Sequence, residues 1–104
     1  VLTNGVHTDV VVPVKNDLMQ NYPNPFNPAT RINYVITAQG IAPVQVELTV
    51  FNIMGQKIRT LVNGKKAAGS YRVTFNGVEF PSGIYFYRLK TGVFTDTKKM
   101  ILLR

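Results

Sequence analysis

Apolar and polar residues alternate with a period of two over several short runs of the chain. The clearest run is VQVELTV at 44–50, and similar alternation occurs in INYVI at 32–36, YRVTF at 71–75 and YFYRL at 85–89. Because successive side chains of a β-strand point to opposite faces, these runs predict half-buried strands. Residues 57–62 predict a further strand, with a bulge where the apolar spacing breaks the period. No run has a clear helical period, so the pattern predicts an all-β protein.

Short turn signals separate the predicted strands. They occur at 54–56 (MGQ), 63–64 (NG) and 91–92 (TG). Two strand entries also carry a Gly-x-Tyr pattern, ending at Tyr71 and Tyr85. The glycine permits a sharp turn, and the tyrosine can bury its ring while its hydroxyl bonds to loop backbone, as in the tyrosine corner of β-sandwiches. About seven short strands therefore predict an antiparallel β-sandwich of immunoglobulin-like type, with a small barrel as the alternative.

The first 19 residues differ in character from the rest. They contain a turn signal at Asn4-Gly5, a short apolar run at 10–12 and a polar stretch after Pro13. We interpret residues 1–19 as a linker or the end of an upstream segment, and residues 20–104 as one domain. The chain does not start with methionine and lacks a signal-peptide pattern, so we expect it to be a piece of a longer protein.

A proline-rich segment opens the predicted domain. Its three prolines lack backbone N–H donors and push the preceding residues toward extended geometry, which forbids helix and central strand. We expect a rigid loop in which two aromatic rings cap the end of the core. The predicted capping loop consists of Tyr22, Pro23, Asn24, Pro25, Phe26, Asn27 and Pro28.

The chain is basic, with 12 Lys and Arg against 5 Asp and Glu and a formal net charge of +7. Such charge fits nucleic acid, anionic lipid or an acidic glycan. Most basic residues fall at alternate positions in predicted strands, however, which indicates a solvated sheet face. The basic and aromatic run YFYRLK at 85–90 leaves only Phe86 outside if Tyr85, Tyr87 and Leu89 face inward. We therefore predict no nucleic-acid partner.

The composition also argues against membrane insertion and gives little support to sugar binding. The chain has no tryptophan, whereas carbohydrate-binding sandwiches usually present a planar row of exposed aromatic rings, so that function stays an alternative. No apolar run approaches the roughly 20 residues that cross a bilayer, and we predict no direct membrane insertion.

The residues that carry enzyme chemistry are scarce. The absence of cysteine excludes disulfides, zinc-thiolate sites and thiol nucleophiles. His7 is the only imidazole, the carboxylates are scattered, and the glycines are isolated turn residues that form no phosphate cradle. We predict no catalytic, metal-binding or cofactor-binding residue, and hence a protein that is not an enzyme.

The last residues, TKKMILLR at 97–104, predict a final strand. Met100 and Leu102 would face the core, while Ile101 and Leu103 would be exposed near a sheet edge. Because exposed apolar edges invite pairing with another chain, an open edge here would indicate a partner.

Five segments resemble, in order, the type A C-terminal sorting domains of the bacterial type IX secretion system. They are QNYPNPFNPAT at 20–30, VFNIMGQ at 50–56, AGSY at 68–71, PSGIYFYRL at 81–89 and TKKMILLR at 97–104. The resemblance implies a seven-stranded immunoglobulin-like sandwich at the end of a larger secreted protein. Pro81, Gly83 and Tyr85 match the family's Pro-x-Gly-x-Tyr motif. The residues that match its terminal signal, in which lysine is the commoner last residue, are Lys98, Lys99, Leu102, Leu103 and Arg104.

The resemblance also implies partners and a location. A covalently linked upstream cargo would pass through the periplasm and reach the cell surface or the medium through the outer-membrane translocon, and a sortase-like peptidase would then cleave the domain near residues 14–19 or attach the cargo to the surface. The translocon would read the last strand by backbone pairing together with the charge of Lys98 and Lys99. A structural module, similar to the immunoglobulin-like domain of flagellar hook-capping proteins, is the alternative. A sorting signal must end its chain, and this sequence ends at its last predicted strand.

Overall fold

A computed structural model of the chain describes residues 15–37, 42–92 and 94–104. The predicted Asn4-Gly5 turn, the apolar run at 10–12 and His7 lie outside the described residues. The strands found within the described part are β1 (Asp17–Leu18), β2 (Ala29–Ile36), β3 (Val44–Phe51), β4 (Lys57–Lys66), β5 (Gly69–Asn76), β6 (Gly83–Thr91) and β7 (Phe94–Leu102).

The strands form two antiparallel sheets, one in the order β1-β2-β5 and the other in the order β4-β3-β6-β7. In a constant immunoglobulin domain the fourth strand joins the sheet of the fifth, whereas here β4 pairs with β3. The prediction of an all-β, seven-stranded antiparallel sandwich is confirmed.

The core lies between the sheets and follows the predicted alternation. Tyr34 of β2 stacks on Tyr71 of β5, with ring centroids 5.4 Å apart. Alternate residues of β3 and β6 face the same interior, and their neighbours are more exposed except for Thr49 of β3, which is also buried. The buried apolar side chains are Leu18, Phe26, Ile32, Tyr34, Ile36, Val46, Leu48, Val50, Phe75, Tyr85, Tyr87, Leu89, Met100 and Leu102.

The sandwich begins upstream of the predicted boundary at Gln20. Asp17 and Leu18 pair with Val35 and Tyr34 of β2, and Leu18 is 1% exposed. Part of the segment interpreted as linker is therefore a strand that completes the core. The division of the chain into residues 1–19 and 20–104 otherwise stays a prediction.

Strand β4 contains the predicted bulge but continues through a predicted turn. The predicted turn at Asn63-Gly64 is wrong, because both residues continue the pairing with β3, opposite Glu47 and Val46. A side-chain hydrogen bond of 2.8 Å from Gln45 Nε2 to Asn63 Oδ1 supports this pairing. The register shifts twice in the first part of β4, within 57–62, which confirms the bulge predicted there.

Both Gly-x-Tyr segments form the predicted corner. The Tyr71 hydroxyl donates to the Ala67 carbonyl and the Tyr85 hydroxyl donates to the Pro81 carbonyl, each at 2.6 Å. Gly69 and Gly83 have φ values of 157° and 156°, which side-chain-bearing residues rarely adopt. The glycine in each segment is thus required by the backbone at the strand entry.

Candidate functional site

Strand pairing brings the predicted motif residues to one end of the sandwich. Gly83, at the start of β6, lies opposite Leu102 at the end of β7, and Tyr85 lies opposite Met100. We call this region the motif end and define it as loop 22–28, turns 52–56 and 77–82, and residues 102–104. The opposite end is defined by turn 67–68 and the β6–β7 turn at Gly92.

The turn before β6 holds the last residue of the sequence. The Arg104 N–H donates to Ser82 Oγ at 2.8 Å, and its guanidinium donates to the Phe80 carbonyl. Burial raises the pKa of the Tyr85 hydroxyl, while the Arg104 guanidinium lowers it by less. The turn therefore fixes Arg104 beside the Tyr85 corner.

The predicted terminal residues have different structural roles. Leu102 is fully buried, so it belongs to the core, whereas Leu103 is 52% exposed. Lys99 is exposed on the outer face opposite Phe86, and Lys98 lies on the other face with Nζ 4.0 Å from Asp96 Oδ2. The two lysines thus point to different sides, and only the last residues contact the turn before β6.

The outer edge of β7 is covered by the chain's own proline-rich loop. The Phe26 N–H donates to the Ile101 carbonyl and the Leu103 N–H donates to the Phe26 carbonyl, both at 2.9 Å. The Asn24 side-chain oxygen accepts the Ile101 N–H at 3.0 Å, and the Gln20 side-chain amide donates to the Lys99 carbonyl at 2.8 Å. The prediction of an open edge at the end of the last strand is therefore wrong, because this loop already occupies it.

The two aromatic residues of the loop differ in burial. Phe26 is 1% exposed and meets Phe75 edge-on, with ring centroids 5.9 Å apart, so it caps the core as predicted. Tyr22 is 71% exposed, which shows that its predicted capping role is wrong. Its backbone pairs with Arg31 through two hydrogen bonds of 2.9 Å, so the neighbouring Asn21 faces inward and Tyr22 faces out.

Tyr87 holds this loop, a role that the sequence pattern did not indicate. Its hydroxyl donates to the Met19 carbonyl at 2.7 Å and accepts the Asn21 N–H at 2.8 Å. Burial raises the pKa of Tyr87 to about 12. Since 66 residues separate Asn21 from Tyr87, no local pattern could have revealed the contact.

A family model described as a secretion system C-terminal sorting domain matches residues 20–103 of the chain. The chain belongs to this family, which serves type IX secretion. No curated protein and no solved structure matches the chain. The match covers the segments that carry the resemblance found in the sequence, except for the last residue, Arg104.

Membership of the sorting-domain family indicates a signal and not a catalyst. It implies interaction with the type IX secretion system, attachment to a cargo protein and export to the cell surface or medium. The described part of the sorting domain contains no cluster of three or more metal-ligating His, Cys, Asp or Glu side chains. Within 15–37, 42–92 and 94–104, no helix is long and apolar enough to cross a membrane. Which of its residues the secretion system contacts stays a prediction.

Proposed function

We propose that the motif end of the folded domain is the sorting signal that takes a covalently linked upstream cargo through the outer-membrane translocon. In this proposal the cargo crosses the periplasm first, and a sortase-like peptidase then cleaves the domain or attaches the cargo to the surface. The observation that carries the proposal is the contact of Arg104 with the turn that starts the Pro-x-Gly-x-Tyr motif. Two motifs far apart in sequence form one surface there.

Within the motif end, the side chains divide into those that build the surface and those that a receptor can touch. Gly83, Tyr85 and Leu102 act inside the fold, since they supply the turn conformation, the corner hydrogen bond and the core contact. Pro81 and Leu103 are exposed. Pro81 follows Phe80, whose carbonyl accepts from the Arg104 guanidinium, and Leu103 precedes Arg104 in the chain. The proposed recognition surface is therefore Pro81, Leu103 and Arg104, with the exposed Lys99 farther along β7.

Recognition at this end uses side chains, because the backbone edge of β7 from Lys99 to Leu103 already has partners in the chain's own loop. A receptor that added a strand there would first have to displace Phe26 from the core. Displacing a fully buried aromatic side chain costs about 3 kcal/mol or more. This cost favours docking against the folded surface.

The carbohydrate-binding alternative has less support. Among all eleven tyrosine and phenylalanine side chains, only Tyr22 is exposed, and it stands alone in the loop. A single ring does not form the planar row that stacks on a sugar chain. The structural-module alternative has no specific contact in its favour within the described residues.

The test is a secretion assay with a fluorescent protein that carries an export signal and is fused to this chain, in a bacterium with a working type IX system. Removing Lys98–Arg104 would delete Met100 and Leu102 from the core, so surface substitutions are more informative. We compare Leu103→Ser/Arg104→Ser with Lys65→Ser/Ala67→Ser, which also removes one basic and one apolar exposed side chain, but at or near the opposite end.

The proposal predicts that the Leu103→Ser/Arg104→Ser fusion is retained in the periplasm, with at least about tenfold less reporter outside, while the control is exported normally. Thermal unfolding of both purified variants checks that the domain still folds. Equal export of the two variants would contradict the proposal.

A further inference from the structure

Exposed apolar side chains concentrate at the motif end. Single exposed apolar residues are ordinary on protein surfaces, but a group at one end of a small domain indicates a contact surface. The opposite end has no large exposed apolar side chain among the described residues. The exposed group consists of Tyr22, Ile53, Met54, Val78, Ile84 and Leu103.

The turn at 52–56 presents two of these side chains on a rigid support. The Asn52 side-chain oxygen accepts the N–H groups of Met54 and Gln56, both at 3.0 Å, and its amide donates to the Gln56 side chain at 2.7 Å. Gly55 has a φ of 80°, which closes the turn. Ile53 and Met54 project from it with 69% and 75% of their surfaces exposed.

A groove of about 310 Å³ separates this turn from the turn before β6. Asn52 and Ile53 form one wall, and residues 81–85 form the other. The groove is large enough to receive a projecting side chain of a partner, and neither wall contains a charged residue. Ile53, Met54 and the groove therefore combine exposed apolar surface with a shape that a partner can fill.

One basic group lies at the groove and another lies beside the 52–56 turn. Arg104 is fixed beside the 77–82 turn, and Arg88 lies over the Phe51 ring at 4.7 Å, next to the 52–56 turn. The nearby carboxylate of Glu79 is already paired with Arg59 at 2.8 Å. The unpaired charge around the groove is thus positive, which is complementary to carboxylates on a partner.

We propose that the Ile53–Met54 turn and the adjoining groove dock onto an acidic protein of the sorting pathway through an apolar side chain flanked by carboxylates. This inference rests on the proposed function and adds a second contact region to the one formed by Leu103 and Arg104. A protein fits better than an anionic membrane, because a groove between two turns can receive a projecting side chain, whereas a membrane presents no such shape.

The apolar contact is tested by the variant Ile53→Ser/Met54→Ser in the same secretion assay. Both side chains are exposed and Asn52, Gly55 and Gln56 are retained, so the turn should still form. The matched control is Ala67→Ser/Ala68→Ser in the turn at the opposite end. The expected result is a fall of about tenfold in exported reporter for the first variant and no change for the control.

The charge of the partner is tested by a matched pair, Met54→Glu and Met54→Lys, at the most exposed of these positions. An acidic partner predicts that the glutamate variant is exported several-fold less than the lysine variant. In a separate assay the purified domain is sedimented with phosphatidylglycerol vesicles, and no binding that depends on Ile53 and Met54 is expected.

The outcomes separate this inference from the proposed function. If the unchanged fusion is not exported, both fail. If it is exported and the Ile53→Ser/Met54→Ser fusion is exported equally well, only the docking surface is wrong. Equal export of the two Met54 variants would show that the partner is not acidic. Vesicle binding that is lost when Ile53 and Met54 are substituted would show that this surface binds an anionic membrane and not a protein.

Discussion

The two ends of the sandwich carry the same tyrosine corner in different surroundings. At the opposite end, Tyr71 is half-buried, stacks on Tyr34 and has the Lys66 ammonium 5.5 Å from its ring centroid. At the motif end, Tyr85 is 4% exposed and lies beside Phe80 and the Arg104 contact. The local motif therefore produces the corner, while packing from distant segments decides what surface surrounds it.

The difference extends to how each end is assembled. At the opposite end, turn 67–68 is held by a hydrogen bond between residues close in sequence, from the Tyr71 hydroxyl to the Ala67 carbonyl. The motif end depends on contacts across the whole chain, such as Asn24 with Ile101, which are 77 residues apart. We therefore expect substitutions at the motif end to affect both folding and sorting.

The largest expected effect on stability is that of Phe26→Ala. The Phe26 ring is fully buried and packs on Phe75, and its backbone forms a bridge with Leu102. Loss of this ring should lower the free energy of unfolding by about 3–5 kcal/mol. Tyr22→Ala, in the same loop, should change it by less than about 1 kcal/mol because Tyr22 is exposed. Urea denaturation of the purified domain measures both, and similar losses would show that the loop does not cap the core.

Tyr87→Phe is expected to have the next largest effect. The change leaves the Met19 carbonyl and the Asn21 N–H without their partner, and Asn21 is only 3% exposed. Unsatisfied buried groups of this kind cost about 2 kcal/mol. The same denaturation assay checks the value, and an unchanged midpoint would mean that the loop is not held through this hydroxyl.

Alkaline pH should weaken the same contact. Because the folded pKa of Tyr87 is raised to about 12, above its usual value of 10.0, the unfolded chain releases this proton first. The part of the free energy of unfolding that depends on this proton is fully present below pH 10. It is lost as pH rises toward 12, by about 1.4 kcal/mol per pH unit. The stability of the unchanged domain should therefore fall toward that of Tyr87→Phe over this range, and parallel curves would contradict the assignment.

The smallest expected effects come from the corners themselves. Tyr85→Phe should cost about 1 kcal/mol, because the Pro81 carbonyl loses a partner in a partly buried position. Tyr71→Phe should cost less, about 0.5 kcal/mol, because water can replace the bond to Ala67 in an exposed position. Thermal unfolding compares the pair, and a larger loss at Tyr71 would reverse the expected order.

Much of the fold could be predicted from the sequence because its strands show short-range alternation. The runs at 44–50 and 85–89 became the centre of the four-stranded sheet. The Asn63-Gly64 prediction failed because turn preference is local, whereas the pairing of β4 with β3 continues through both residues. Tertiary pairing overrode the local signal there.

The candidate site could be predicted only in part. The Gly-x-Tyr spacing indicated the corner at Tyr85 because its hydrogen bond spans four residues. The cover over β7 and the clamp by Tyr87 join residues at opposite ends of the chain, and no local pattern encodes them. The exposure of Tyr22 was also missed, since the backbone pairing with Arg31 decides which way it faces.

We propose that the sorting signal is a folded surface and not a linear tail. The most direct measurement compares export of two fusions, one ending in residues 15–104 and one ending in Lys98–Arg104 alone. We expect export of the first and periplasmic retention of the second, because the short tail lacks the turn that positions Arg104. Equal export of the tail alone would contradict it.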